Sequence, residues 1–360
     1  MPSRPPPLRG RGAQSGDVSR RFKLPQRERD GDWRDAAELV DGKPAKLRTT
    51  VTEEHPRTIL TFNKSPDIGF DRSINAYRGC EHGCAYCFAR PTHAFHDLSP
   101  GLDFETKLFA KPDAARLLRE TLARKGYRPA PIAMGTNTDP YQPIEARYRI
   151  TRQILEVCLE TRHPATITTK SDRVVRDLDI LAELAARRLV HVAVSVTSLD
   201  PRLSGTLEPR AAAPARRIEA LRRLAEAGVP TYVSVAPVIP AITDHEMEAI
   251  LMRAGEAGVR GAGWLMLRLP HEVAPIFREW LDAWFPERAE KVMSIIRAMR
   301  GGKDNDPRYF ERFRPQGAWA ELFRNRFRLA RRRAGIPRER VPLDSSQFRP
   351  PSTDGQMELF

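Results

Sequence analysis

Cys80, Cys84 and Cys87 stand in the run Asn75-Ala-Tyr-Arg-Gly-Cys-Glu-His-Gly-Cys-Ala-Tyr-Cys-Phe-Ala-Arg90, with three and then two residues between successive thiols. They are three of the four cysteines in the chain. Thiolates spaced this way on one short loop suit three corners of a cubane iron-sulfur cluster, and the missing fourth ligand leaves one iron open to a small molecule. Zinc is the rival metal, because His93 or His96 would complete a tetrahedral set of three thiolates and one imidazole. A disulfide framework is not what so few cysteines build in so long a chain.

The loop resembles the signature of the radical S-adenosylmethionine superfamily, down to the aromatic Tyr86 before the last thiol. That resemblance implies a 4Fe-4S cluster on Cys80, Cys84 and Cys87, with S-adenosyl-L-methionine chelating the open iron through its amino and carboxylate groups. It also implies reductive cleavage to a 5′-deoxyadenosyl radical that takes a hydrogen atom from a substrate. A reductant such as flavodoxin or ferredoxin comes with that chemistry. The segments Gly135-Thr-Asn-Thr-Asp-Pro-Tyr-Gln-Pro-Ile-Glu145, Ser195-Val-Thr-Ser198 and Leu207-Glu-Pro-Arg210 are similar to the spore photoproduct lyase subgroup and its bacterial relatives, a likeness that suggests a lyase in DNA repair. Where the superfamily usually has Gly-Gly-Glu for the cofactor's amino group, this chain has Thr136, Asn137, Thr138 and Asp139.

The remaining candidates are polar groups at expected strand ends. Ser195 and Thr197 alternate inward if Val194 and Val196 pack outward, which would turn their hydroxyls toward the cofactor's ribose or carboxylate. Lys170 and Ser171 end one strand, and Arg268 ends another. Arg210 offers a guanidinium fork for a carboxylate or phosphate, or an ion pair with Glu208. Tyr86 joins these as a cofactor contact. Cys158, within Ile154-Leu-Glu-Val-Cys-Leu159, is expected in the core of a helix, which leaves no obvious thiol as a hydrogen-atom donor.

Positioning these groups requires strand ends that converge, and the pattern supplies them. β-Branched runs at 73–79, 131–136, 165–169, 190–197, 231–236 and 262–267 alternate with helical stretches near 112–124, 145–161, 174–187, 214–227, 243–257 and 272–284. This predicts an α/β fold, a partial (β/α)6 barrel over 51–285 with function at the carboxyl ends of its strands. Residues 1–50, with Pro5-Pro-Pro7 and Arg9-Gly-Arg-Gly12, are expected as a basic tail, disordered or loosely draped. Residues 286–345 are expected as a basic helical extension that closes or flanks the barrel, and 346–360 as a flexible tail.

The net charge of +14, from 60 Lys and Arg against 46 Asp and Glu, favours a polyanionic partner, most plausibly nucleic acid. A GC-rich genome, which inflates arginine, would produce the same excess without such a partner. A second hypothesis therefore stands beside the enzyme: a zinc-stabilised nucleic-acid-binding protein without radical chemistry. Gln356-Met-Glu-Leu-Phe360 resembles the bacterial sliding-clamp peptide, with Leu359 and Phe360 as apolar anchors and Gln356 setting the register. No apolar run reaches membrane-spanning length, and a cytoplasmic protein is expected.

Overall fold

The computed structural model describes residues 7–22, 39–40, 43–44 and 47–351. The clamp-like residues Gln356, Leu359 and Phe360, and much of the expected basic N-terminal tail, lie outside the described residues.

The β-branched runs form a seven-stranded sheet. In chain order its strands are β1 (Leu60–Phe62), β2 (Arg72–Ile74), β3 (Ile132–Met134), β4 (Ala165–Thr169), β5 (Val190–Ser195), β6 (Thr231–Val238) and β7 (Gly261–Met266). From β2 to β7 every neighbouring pair is parallel, and β1 adds an antiparallel edge beside β2. Its crossover helices are α1 (Ala114–Leu122), α2 (Ile150–Glu160), α3 (Leu178–Ala186), α4 (Pro214–Glu226) and α5 (Met247–Glu256), with α6 (Val273–Trp284) after the last strand. Val190, Val192 and Val194 of β5 pack outward with Leu184 and Leu221 in the main core. Their alternate neighbours line the inside, as the two-residue period of a strand requires. The edge strands β1 and β7 do not pair, so the barrel is open on one side.

Several boundaries differ from the pattern for identifiable reasons. The run expected as one strand over 73–79 divides between β2 and a separate strand, Tyr77–Arg78, which pairs with Lys107–Ala110. The side chain of the intervening Asn75 turns to Thr136 and the Asn137 backbone instead. The helix expected over 145–161 breaks at Arg149, whose φ is 53°. Buried Glu145, bonded to Tyr77, Arg176 and the Thr151 N–H, fixes its first turn apart from α2. A short helix, Pro201–Leu207, capped by Asp200, follows β5 and was not anticipated. The basic extension contains Ala289–Ala298 and α7 (Gly317–Arg333). Between them, the chain crosses toward the other sheet edge: Arg300 donates to the Leu267 carbonyl after β7 at 2.7 Å, and Arg312 pairs with Asp67 of the β1–β2 loop at 2.5 Å. Residues 7–22 are draped more firmly than a loose tail, for reasons given below. Among the described residues no helix is long and apolar enough to cross a membrane.

Candidate metal and cofactor site

The cysteine loop leaves the sheet at the carboxyl end of β2 and is shaped by two glycines. Gly79 has φ +71°, and a Cβ there would sit 2.7 Å from Leu108 and 2.8 Å from the Phe104 carbonyl. Gly83 has φ +65°, and its Cβ would meet the Glu105 carboxylate at 2.7 Å. Only glycine satisfies both the left-handed backbone and the close approach. Beyond Gly83, Cys87 N donates to Cys84 O and Arg90 N donates to Cys87 O, each at 3.2 Å, in successive tight turns.

A buried guanidinium holds the loop from behind. Arg90 donates to the carbonyls of Cys84 (2.9 Å), Gly83 (3.1 Å) and Gly101 (2.9 Å), and it pairs with Glu105 at 2.5 Å, both side chains being fully buried. Glu105 also accepts the backbone N–H groups of Gly12 (3.2 Å) and Ala13 (2.8 Å). The N-terminal segment thus lies directly on the loop, and a Cβ at Gly12 would stand 1.7 Å from the Gly83 carbonyl oxygen. Farther along, Ser15 donates to Glu279, while Ser19 and Arg21 bind Glu272, tying the strap to α6.

In front of the loop is a partly open cavity of about 80 Å³ into which Cys80, Cys84 and Cys87 face together. Its other walls are Gly135 to Asp139 after β3, Thr168, Thr169 and Lys170 at the end of β4, and Ser195 at the end of β5. The thiols are free of disulfides. Burial pushes the Cys84 thiol up to about 12 and Cys80 well above its ordinary value. Both are therefore thiols at neutral pH, and any cation they took would have to displace a proton. The Lys170 ammonium has no hydrogen bond or ion pair among the described residues, although it lies 5.7 Å from the centre of the Tyr86 ring. Burial works to discharge it, but Cys84 and Glu208 outweigh burial and raise its pKa.

The expected cofactor residues divide into two groups. Thr136, Asn137, Thr138, Asp139 and Ser195 line the cavity with the thiols. Within that set Thr138 and Asp139 are already engaged. The Thr138 hydroxyl donates to the Gly79 carbonyl at 2.7 Å, and the Asp139 carboxylate accepts from Thr169 and the Lys170 N–H at 2.7 Å each. Burial alone would raise the Asp139 pKa, but His82 and these donors outweigh it and hold the carboxyl at about 2. Tyr86, Thr197 and Arg210 do not line the cavity. Tyr86 and Thr197 both bond to buried Glu208, which pairs with buried Arg217 at 2.5 Å. Arg210 pairs with Glu81 of the cysteine loop at 2.8 Å rather than with Glu208. His93, the expected zinc partner, bonds the Lys107 carbonyl at 2.8 Å, and His96 packs on Phe109. Among the described residues no three His, Cys, Asp or Glu side chains come together closely enough for a single metal ion.

Sequence reasoning passed over Asn75, Arg90, Glu105 and Arg217, and took Gln142 only as a turn residue that satisfies backbone groups. Gln142 is fully buried, accepting from Glu81 N at 2.9 Å and donating to the Gly79 carbonyl at 3.1 Å, so it fastens the cysteine loop to the segment after β3. Its place in the quoted Gly135–Glu145 run was a signal. The Arg90–Glu105 pair left none, since nothing in local spacing marks a pair that closes only through the fold.

A family model described as the Radical SAM superfamily matches residues 74–254, from the end of β2 into α5. An uncharacterised protein of Mycobacterium bovis is 36% identical over 241 residues, 66% of this chain and 71% of the relative. An uncharacterised protein of Methanocaldococcus jannaschii is 30% identical over 173 residues, 48% of this chain and 62% of the relative. Among solved structures, spore photoproduct lyase complexed with dinucleoside spore photoproduct superposes with a TM-score of 0.51 at 16% identity, over 69% of this chain and 72% of that one, a likeness of fold. With the matched region running from the thiol loop through the strands that wall the cavity, the chain belongs to the radical SAM superfamily.

Proposed function

We propose that the chain is a radical S-adenosylmethionine enzyme in which Cys80, Cys84 and Cys87 hold a 4Fe-4S cluster and the adjoining cavity takes S-adenosyl-L-methionine. The observation that carries this is one cavity with three free thiols on one wall and, on another, a free hydroxyl and an ammonium that has no hydrogen bond or ion pair among the described residues. A cubane spreads its irons over separate corners, so its thiolates need not meet at one point, whereas zinc needs four donors around one centre. The absence of any convergent set among the described residues, and the engagement of His93 elsewhere, favour the cluster.

When bound, the two groups supply a reductively generated 5′-deoxyadenosyl radical. Lys170 suits the cofactor's carboxylate, because a charged donor held in a half-buried wall gains most from an anion. The Ser195 hydroxyl suits the same group or the ribose. Thr136 and Asn137 suit the amino end. Thr138, Asp139 and Gln142 keep the two loops in register, and the Tyr86–Glu208–Arg217 group seals the floor below Cys84 against water. We read the substrate as a polyanion, nucleic acid in particular, from the +14 charge and the exposed Arg324, Arg328 and Arg332 of α7. We read Cys158, fully buried in α2, as core rather than as a hydrogen donor. Gln356, Leu359 and Phe360 remain a proposed sliding-clamp peptide, tested by clamp binding before and after removal of the last two residues.

Anaerobic reconstitution tests the central reading. The wild-type chain and Cys158→Ala should take up about four iron and four sulfide and cleave S-adenosylmethionine on reduction. Cys80→Ala, Cys84→Ala and Cys87→Ala should each lose cleavage. Colourless protein carrying one zinc would overturn the assignment.

A further inference from the structure

Arg268 lies two residues beyond the end of β7, at the same end of the sheet as the thiols and on its open side. The guanidinium has no hydrogen-bond partner among the described residues, and its Nε is buried. It stacks 4.7 Å from the centre of the Phe313 ring; on that ring's account Arg312 lies at 5.0 Å, and Arg312 also lies 5.0 Å from the Tyr309 ring. Arg312 is neutralised by Asp67, while Arg300 serves the carbonyls of Leu267 and Arg312. Arg268 is thus the member of this cluster of three arginines that has no hydrogen bond or ion pair of its own among the described residues. Burial, followed by repulsion from Arg312 and Arg300, brings its pKa down to about 10.

A half-buried cation beside two others, its Nε shielded from water and its guanidinium over an aromatic ring, gains from an anion that completes it. Space is available nearby. Gly263 on the inner face of β7 has no atom within 4 Å of a Cβ placed on it, and Leu265 is 44% exposed. Beside the arginines Tyr309 and Phe310 leave 56% and 48% of their surface open, which suits a flat ring stacked on them.

We propose that Arg268 is the anion-binding residue of a ligand subsite on the open side of the barrel, and that it takes a phosphate carried by a flat-ringed, nucleotide-like compound. The guanidinium fork matches phosphate oxygens, and its stacking on Phe313 fixes the plane of the fork in advance. The proposal depends on the enzyme reading only for calling this ligand the substrate, since phosphate binding is measurable in the full chain without S-adenosylmethionine turnover.

The test is calorimetric titration and thermal unfolding of the full-length protein with inorganic phosphate, cytidine 5′-monophosphate and cytidine. Phosphate and the nucleotide should raise the Tm of the wild type, as any ligand of the folded state does, and cytidine should not. Arg268→Met should weaken nucleotide binding about ten-fold or more, yet leave the Tm of the ligand-free protein no lower, because Met keeps the packing on Phe313 and no hydrogen bond or ion pair is lost. Arg268→Lys should recover part of the binding. Unchanged nucleotide affinity in Arg268→Met, or cytidine binding as tightly as its phosphate, would overturn the proposal. So would a variant that loses binding while its ligand-free Tm falls, which would make Arg268 part of the framework.

Discussion

Lys170 and Asp139 meet at one backbone position and have opposite duties. The ammonium faces the cavity unpaired, while the carboxylate spends its oxygens on Thr169, the Lys170 N–H and the Tyr141 N–H. Lys170→Met should therefore weaken S-adenosylmethionine binding about ten-fold or more with iron content unchanged, since only a charge-assisted contact is removed. Asp139→Asn should instead lower stability by about 1–3 kcal/mol and also reduce retained iron, because it loosens both loops. Cofactor titration, urea unfolding and iron analysis separate the two outcomes. The sequence named the loops that carry both residues, because cysteine spacing and the run after β3 are local patterns. It did not say which atoms stay free. That depends on partners supplied by other segments, as when Arg210 finds Glu81 across 129 residues of chain.

Elements were legible wherever burial imposes a period. The six parallel strands and their helices follow alternating valines and amphipathic stretches, and the boundaries fail where one tertiary contact overrides the pattern, as at Asn75 and Arg149. The strap over the cysteine loop has no period at all, and its order comes from Glu105. Arg90→Met leaves that carboxylate buried without its cation and should cost about 3–5 kcal/mol, read as a lower denaturation midpoint. Gly12→Ala forces a methyl into the Gly83 carbonyl and should cost about 1–3 kcal/mol, with faster proteolysis of the first twenty or so residues as a separate readout. A wild-type midpoint in Gly12→Ala would mean that the strap detaches without consequence for the loop.

Across the whole molecule, the segment around Phe348 is also tied down, and pH reaches that tie. Phe348 packs on His163 and Tyr127, with ring centres 5.5 Å apart in both pairs. Arg72 donates to the Tyr127 hydroxyl, which in turn donates to His163 Nε2, while Nδ1 donates to the Pro164 carbonyl. Burial is the main cause that holds His163 at about 4 against an ordinary 6.5, so the imidazole is neutral in the folded protein. The unfolded chain binds that proton first as pH falls. The contribution is complete above about 6.5 and is lost progressively toward 4. Between those limits it adds about 1 kcal/mol per pH unit to the slope of stability against pH. His163→Gln should flatten the slope by that amount in urea titrations between the two values. An unchanged slope would assign the pH dependence to other groups.

The strap also has a place in time. Gly12 and Ser15 are synthesised early, but Glu105 follows Gly12 by 93 residues and Glu279 follows Ser15 by 264. A growing chain folds from its first residues onward, so the cysteine loop emerges well before its cover can be anchored at both ends. Late closure leaves the nascent loop unfixed from behind for an interval in which, on the cluster reading, its thiols are free to rearrange around an incoming cluster. Delaying iron supply until translation is finished should then yield protein that loads more slowly than protein made with iron present. Removing residues 1–22 should abolish that difference.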